Sequence, residues 1–207
     1  MILSQLLLNK ADLIQLRITD VYSLHRLVYS CFPLENAEQK TTGPASYLFC
    51  DNGNKKNGRE IIILSQAAPQ PAECGVLESK QIPDRLLEFS RYRFAITINS
   101  VKREKKDKEE NNPKHKLLPI IGQQEVHKWF VNKAPSWGFL VQPSSLQIDE
   151  TGVWNFSKKN NQVTLAYAKI GGLLEVTDRE LFIKSFKHGI GRAKTFGCGL
   201  LQIAAVA

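Results

Sequence analysis

The order of elements read along the chain predicts an α+β fold of two tandem ferredoxin-like (βαββαβ) domains. Three observations lead there. A short apolar strand is followed by an amphipathic helix, VYSLHRLVYSCF. The same kind of pattern restarts near Ser90 with the alternating segment RYRFAITINSVKR. Each half then runs through further strands, a helix and a final strand. The 207 residues, 43% of them hydrophobic, suit two small packed domains, placed at residues 1–89 and 93–207.

In the first half, Ile2 to Asn9 reads as a strand. Thr19 or Asp20 caps the next helix, which ends before Pro33. Its residues Val21, Leu24, Val28 and Cys31 recur at helical spacing and face a core. Tyr22, His25, Arg26 and Tyr29, at i, i+3, i+4 and i+7, share a different face. Leu48 to Cys50 and Glu60 to Ser65 are strands separated by the polar turn DNGNKKNG, and the unbroken run IIIL suits a buried strand. Ala72 to Cys74 and Leu86 to Phe89 carry no decisive pattern, so the second helix of this half is weakly signalled.

In the second half, Phe94, Ile96 and Ile98 alternate with Ala95, Thr97 and Asn99, the mark of a half-buried strand. The run from Lys102 to Lys116 holds seven Lys or Arg and four acids without an apolar residue, so it forms a solvated loop or hairpin tip. Gly122 to Lys133 reads as a helix burying Val126, Trp129 and Phe130. Trp137 belongs to the core as well. Strands follow at Gly138 to Pro143, Leu146 to Asp149, Gly152 to Phe156 and Gln162 to Ile170. VTDRE fits a capping box with Thr177 at the cap and Glu180 three residues on, opening a helix to about His188. A last strand covers Leu200 to Val206.

Lys and Arg total 28 against 20 acidic residues, a formal charge of +8, which favours a polyanionic partner such as nucleic acid. Cys31, Cys50, Cys74 and Cys198 are scattered, with no C-x-x-C pair and no histidine at metal-ligand spacing, so structural zinc is not expected. MILSQLLLNKADL lacks a basic n-region and a cleavage site, and no run approaches ~18 apolar residues. These features predict a soluble, reducing, cytoplasmic protein with no membrane association.

KHGIGRAKTFGCGLLQI packs four glycines into eleven residues with three cations at its start and centre. It is not a dinucleotide fingerprint, because Lys194 stands where the third glycine belongs and the loop follows a helix instead of preceding one. Nor is it a Walker A loop, because Ala193 precedes Lys194 and Thr195. Glycines that permit positive φ, beside cations, favour an anionic phosphate-bearing partner. A turn that caps a helix and starts a strand explains the loop equally well.

DVYSLHRLVYSCFP, FAITINSVKR, KLLPIIG and above all GIGRAKTFGCGLLQI resemble the CasE (Cse3) type of CRISPR RNA endoribonuclease, a subunit type of the subtype I-E Cascade complex. The resemblance spans essentially the whole chain in order. Its strongest element is GIG-x-x-K-x-x-GCGLL after a helix, the glycine-rich loop of the repeat-associated (RAMP) superfamily. It implies two ferredoxin-like domains of that RRM-like kind, which bind the repeat hairpin of the CRISPR precursor RNA and cut at the 3′ base of its stem. The implied reaction needs no metal or cofactor. The ribose 2′-hydroxyl attacks the adjacent phosphate, leaving a 2′,3′-cyclic phosphate or its hydrolysed form and a 5′-hydroxyl. It further implies retention on the mature guide and assembly with other Cascade subunits.

By the same resemblance His25, in Y-x-x-H on the first helix, is the catalytic histidine, as base or as acid. A helix histidine taken alone is more often a surface residue. Tyr22, one turn earlier, is the active-site tyrosine that orients ribose or phosphate; its plainer role is an amphipathic residue at a domain edge. Some members carry a lysine five residues past the histidine, where this chain has Ser30. The cation for the developing phosphorane is then sought in Arg26, Lys102 or Arg103. Gly189, Gly191, Gly197 and Gly199 are expected against RNA backbone and the first domain, with Arg192 and Lys194 as phosphate contacts. Lys102, Arg103, Lys114 and Lys116 flank the hairpin tip that reads the shape and phosphates of the stem, and Lys158 and Lys159 form a second phosphate contact. His115, His127 and His188 receive no role. Two rivals stand beside this reading. One is a non-catalytic RNA-binding scaffold of the same fold, against which Tyr22 and His25 argue. The other is a small-molecule phosphate enzyme, for which the sequence offers neither a P-loop nor a metal cluster.

Overall fold

The computed structural model describes residues 1–33, 47–103, 117–158 and 161–206. The first sheet has the order β2-β3-β1-β4, all pairs antiparallel, from β1 (Ile2–Leu8), β2 (Tyr47–Lys55), β3 (Gly58–Ser65) and β4 (Val76–Gln81). The second has the order β11-β5-β10-β8, with β5 (Arg91–Ile98), β8 (Phe139–Val141), β10 (Asn161–Val176) and β11 (Gln202–Ala205); β9 (Gln147–Lys158) also pairs with β10. Each is the strand order of a ferredoxin-like domain. In the second, β8 and β9 together form one strand position, broken by a 3-10 turn at Pro143–Ser145. A separate ribbon pairs β6 (Val101–Arg103) with β7 (Leu117–Pro119).

The first half departs from the full repeat. A short helix α1 (Lys10–Gln15) follows β1, closed by a capping box in which Asn9 and Asp12 exchange side-chain-to-backbone hydrogen bonds. No helix separates β3 from β4, so the weakly signalled second helix is absent there. In its place β4, exposed along most of its length, borders the sheet. The turn in DNGNKKNG shrinks to Lys56–Asn57, because β2 continues through it with a register shift between Asp51 and Asn54.

Helix α2 (Val21–Ser30) is capped by Asp20, whose carboxylate accepts from the Ser23 N–H at 2.7 Å while the Ser23 hydroxyl accepts from the Asp20 N–H at 3.0 Å. Leu24, Val28 and Cys31 are fully buried against Leu6, Leu8, Phe49, Ile61 and Ile63. Burial of each leucine-sized side chain stabilises by ~1.5–3 kcal/mol. The alternate residues Leu48, Cys50 and Leu64 point the other way and pack on Phe186 and Leu200 of the second half. The run IIIL is continuous for this reason: both faces of β3 are covered, by α2 on one side and by the second domain on the other.

Helices α3 (Gln123–Lys133) and α4 (Arg179–His188) close the second core, where Val126, Phe130 and Phe182 meet Phe94, Ile96, Ile98 and Ile170. Trp129 and Trp137 pack on it partly buried, as expected. The alternation read in β5 holds for Tyr92, Phe94, Ile96 and Ile98, but Thr97 and Asn99 are buried too. Thr97 faces the first domain, where its hydroxyl lies 3.5 Å from the Cys50 thiol. Asn99 is buried because its amide donates to the Ala166 carbonyl at 2.6 Å. The cap of α4 is Asp178, not Thr177: its carboxylate accepts from the Leu181 N–H at 2.9 Å, a contact that Thr177 lies one residue too early to make. The four cysteines are free. Among the described residues no helix is long and apolar enough to cross a membrane.

Candidate active site at the domain junction

The polar face of α2 carries Tyr22, His25, Arg26 and Tyr29, and from it Tyr22 and His25 meet rings of the second domain. The His25 ring lies 6.0 Å from Tyr22, 5.9 Å from Tyr29 and 5.8 Å, nearly edge-on, from Phe196. Phe196 belongs to the glycine loop and packs at 4.8 Å on Phe156 of β9, which in turn lies parallel to Tyr22 at 6.2 Å. The site is thus walled by the first helix on one side and by two aromatic rings of the second domain on the other. Sequence reasoning missed Phe156 and Phe196, because only the docking of the two domains brings them to α2. Phe196 stood within the glycine loop as its one aromatic residue, which was the available signal.

His25 Nδ1 is buried without a hydrogen-bond partner. Burial lowers the imidazole pKa from its ordinary 6.5, the charge of Lys158 lowers it further, and the backbone of Thr195 partly opposes both. Burial and the Lys158 charge thus favour the neutral form of the ring. Lys158 ends β9 with its Nζ 5.5 Å from the Phe196 ring centroid. Arg26 lies over the opposite partner, its Cζ 5.7 Å from the Tyr22 ring.

The glycine loop is shaped by the protein itself. Ile190 N–H donates to the Gly199 carbonyl at 2.8 Å and Gly199 N–H donates to the Thr97 carbonyl at 2.7 Å, which ties the loop to β5. A side chain at Gly199 would meet the Ile190 carbonyl, one at Gly189 would meet Leu48, and one at Gly197 would press on Phe49. Close packing therefore accounts for these three. Gly191 differs: it is exposed, and its φ of +74° is its main demand for glycine. Lys194 Nζ donates to the His188 carbonyl at 2.7 Å, so it caps the end of α4, and burial lowers its pKa. Arg192 is exposed.

The structure brings together His25, Tyr22, Arg26, Lys158 and the glycine loop. Lys102 and Arg103 are exposed on the separate β6–β7 ribbon. Lys114, Lys116, Lys159 and His115 lie outside the described residues. His127 contacts the Pro143 carbonyl at 3.1 Å, and His188 serves through its backbone. Beside the site a cleft of ≈ 330 Å³ runs between the domains, sharing Phe156 and Phe196 with it. It holds the ion pairs Asp51–Arg59 at 2.7 Å and Glu150–Lys169 at 2.6 Å.

Fold and site together define a protein of two ferredoxin-like domains with a histidine-centred, aromatic-walled site at their junction. The chain belongs to the CRISPR associated protein family, whose model matches residues 1–205. It is similar to the CRISPR system Cascade subunit CasE of Escherichia coli (strain K12), 24% identical over 191 residues that cover 89% of this chain and 92% of that one. Among solved structures it is similar to the CRISPR endoribonuclease Cse3 bound to a 19-nucleotide RNA, with a TM-score of 0.80 at 19% identity, covering 99% and 100% of the two chains. It is also similar to Thermus thermophilus Cse3 bound to an RNA representing a pre-cleavage complex (TM-score 0.79, 20% identity, 98% of each chain). Cas6e of Escherichia coli K-12 superposes with a TM-score of 0.67 at 21% identity over the full length of both chains. The recognised resemblance and the fold class both stand.

Proposed function

We propose that this protein is a CRISPR RNA endoribonuclease that cuts the repeat hairpin of the precursor transcript at the 3′ base of its stem and stays on the guide as a Cascade subunit. Its family and its similarity to CasE and Cse3 support the substrate class. The observation that carries the chemistry is His25: an imidazole whose pKa burial and Lys158 lower, next to a phenol, on a helix face at the domain junction. In the proposed reaction the imidazole moves the proton of the 2′-hydroxyl as the 2′-oxygen attacks phosphorus. The P–O5′ bond breaks, and the leaving oxygen takes a proton. Tyr22 orients the ribose or the phosphate. Positioned acid–base groups of this kind give ~10²–10⁴-fold. The proposed reaction gives no role to a metal.

The basic residues Arg26, Lys102, Arg103, Lys158, Arg192 and, beyond the described residues, Lys114, Lys116 and Lys159 are the proposed backbone contacts. Gly191 leaves room for RNA to approach, while Lys194 holds the loop. The test is a repeat hairpin with a 2′-deoxy ribose at the cut site. Normal RNA should yield a 5′-hydroxyl product and a 2′,3′-cyclic phosphate, and the deoxy analogue should bind as tightly and stay intact. Cleavage of the deoxy analogue would contradict 2′-hydroxyl attack.

A further inference from the structure

The cleft between the domains shares Phe156 and Phe196 with the His25 site, and Leu24, the residue before His25, also lines it. The reaction proposed above uses nothing inside it. We infer that this cleft is a subsite for one unpaired nucleobase, that of the first nucleotide on the 3′ side of the cut, with Trp154 as its stacking platform. This rests on the ribonuclease reading above and adds to it a contact that the precursor makes and the mature guide does not.

Trp154 is held as a platform. It stands opposite Leu165 in the β9–β10 ladder, and Tyr167 is its diagonal neighbour, opposite Gly152. A side chain at Gly152 would lie 2.9 Å from the Tyr167 ring, so the glycine lets that ring lean across β9 and lie flat on the indole, with centroids 4.2 Å and planes 15° apart. The Tyr167 hydroxyl donates to Glu150 at 2.5 Å and Lys169 pairs with the same carboxylate at 2.6 Å, which fixes the stack from behind. Trp154 stays partly exposed all the same, and it lines the cleft together with Phe156 and Phe196. A large ring that is rigid and partly open is what an unpaired base stacks on.

The charges of the lining select a base over a phosphate. Asp20, Asp51 and Glu150 stand against Arg59 and Lys169, and both cations are paired, with Asp51 at 2.7 Å and Glu150 at 2.6 Å. Three carboxylates to two committed cations repel an anion. An uncharged base, whose edge carries both donors and acceptors, meets partners of both kinds. The sugar–phosphate backbone therefore stays outside. A cleft of ≈ 330 Å³ is at the small end of ligand pockets and does not admit a duplex. The nucleotide on the 5′ side of the cut closes the stem, so entering the cleft would break its pair. The next nucleotide is unpaired and is joined to it through the scissile phosphate. It departs with the 5′-hydroxyl product, so the contact helps to seat the precursor and is lost on cutting.

The test is a binding cycle. Repeat hairpins with a 2′-deoxy ribose at the cut, carrying either the normal base or an abasic site at the first nucleotide beyond it, are titrated with wild type, Trp154→Ala and Trp154→Phe. A guide hairpin that ends at the cut is titrated beside them. With wild type the abasic site should weaken binding ~5- to 150-fold, the worth of one base stacked on an aromatic ring. An abasic site one nucleotide further on should leave binding unchanged. Trp154→Ala should bind the normal hairpin about as weakly as wild type binds the abasic one, and the abasic site should then cost it nothing more. Trp154→Phe should keep most of the affinity, and the guide hairpin should bind all three proteins alike. Equal binding of normal and abasic hairpins by wild type would overturn the subsite whatever the variants do. So would an equal abasic penalty in wild type and Trp154→Ala, or a loss in Trp154→Ala that the guide hairpin shares. Each of these leaves the ribonuclease reading standing, whereas wild type that binds no repeat hairpin would overturn both.

Discussion

Replacing Gly199 with alanine separates what the glycine loop needs for its own structure from what it offers a ligand. Gly199 has a φ of +87°, where an L side chain costs ~1–2 kcal/mol. The added Cβ would also lie 2.3 Å from the Ile190 carbonyl oxygen, against 3.4 Å or more for an ordinary contact. That oxygen is backbone, so no rotamer relieves the overlap. Moving apart stretches the hydrogen bonds Ile190 N–H to Gly199 and Gly199 N–H to Thr97, each worth ~1 kcal/mol. Less the freedom that any Gly→Ala change removes from the unfolded chain, the sum is ~3 kcal/mol, or a fall in melting temperature of about 10 °C for a protein this long. Gly191→Ala is the matched comparison. It shares the positive φ, of +74°, but its Cβ would meet nothing nearer than Ile98 at 3.5 Å. Part of its conformational cost returns as reduced freedom of the unfolded chain, leaving about 1 kcal/mol, so the fall is ~2–4 °C. Thermal unfolding followed by circular dichroism distinguishes them. Equal shifts for the two variants would refute the claim that Gly199 is fixed by backbone packing.

Three further outcomes follow from the same structure. Asp20→Ala removes the cap that starts α2 and should cost ~1 kcal/mol in denaturant unfolding, with slower cleavage because Tyr22 and His25 hang from that turn. Asn52 and Gln202 exchange two amide hydrogen bonds of 3.1 Å across the two sheets, so a double-mutant cycle to alanine should give a coupling of ~1 kcal/mol; zero coupling would mean this bridge does not hold the domains together. His25 has a folded-state pKa below its unfolded value, so the unfolded chain binds more protons as pH falls through 6.5. Stability attached to a neutral His25 is therefore present above that pH and lost below it. Wild type should lose more stability than His25→Gln between pH 7 and the depressed value, and parallel curves would contradict the depression.

Much of this was legible in the sequence because it depends on local pattern. Leu24, Val28 and Cys31 at helical spacing gave the buried face of α2, and Phe94, Ile96 and Ile98 gave β5. β4 left no such trace: VLESKQ is an exposed border strand with no buried side to alternate. Helix α1 had a signal in Asn9 and Asp12, a cap pattern over only six helical residues. Thr177 was misplaced by one residue because Thr-Asp offers two capping side chains in succession, and only geometry chooses Asp178. At the site, Tyr22 and His25 could be read from one helix face. Phe156, Phe196 and Lys158 could not be placed beside them, because their meeting depends on how one domain docks on the other. The search for a cation in Arg26, Lys102 and Arg103 kept to residues near the helix or the charged run, whereas the charge that acts on His25 comes from the end of β9.

The central claim is that His25 cuts RNA without metal. Wild type and His25→Ala should be incubated with a labelled cognate repeat hairpin in EDTA, with cleavage and binding followed in the same samples. Cleavage by wild type, together with tight binding and at least ~10²-fold slower cleavage by His25→Ala, is the predicted result. Tight binding by both without cleavage would make the protein a scaffold, and cleavage that survives the substitution would place the chemistry on other residues.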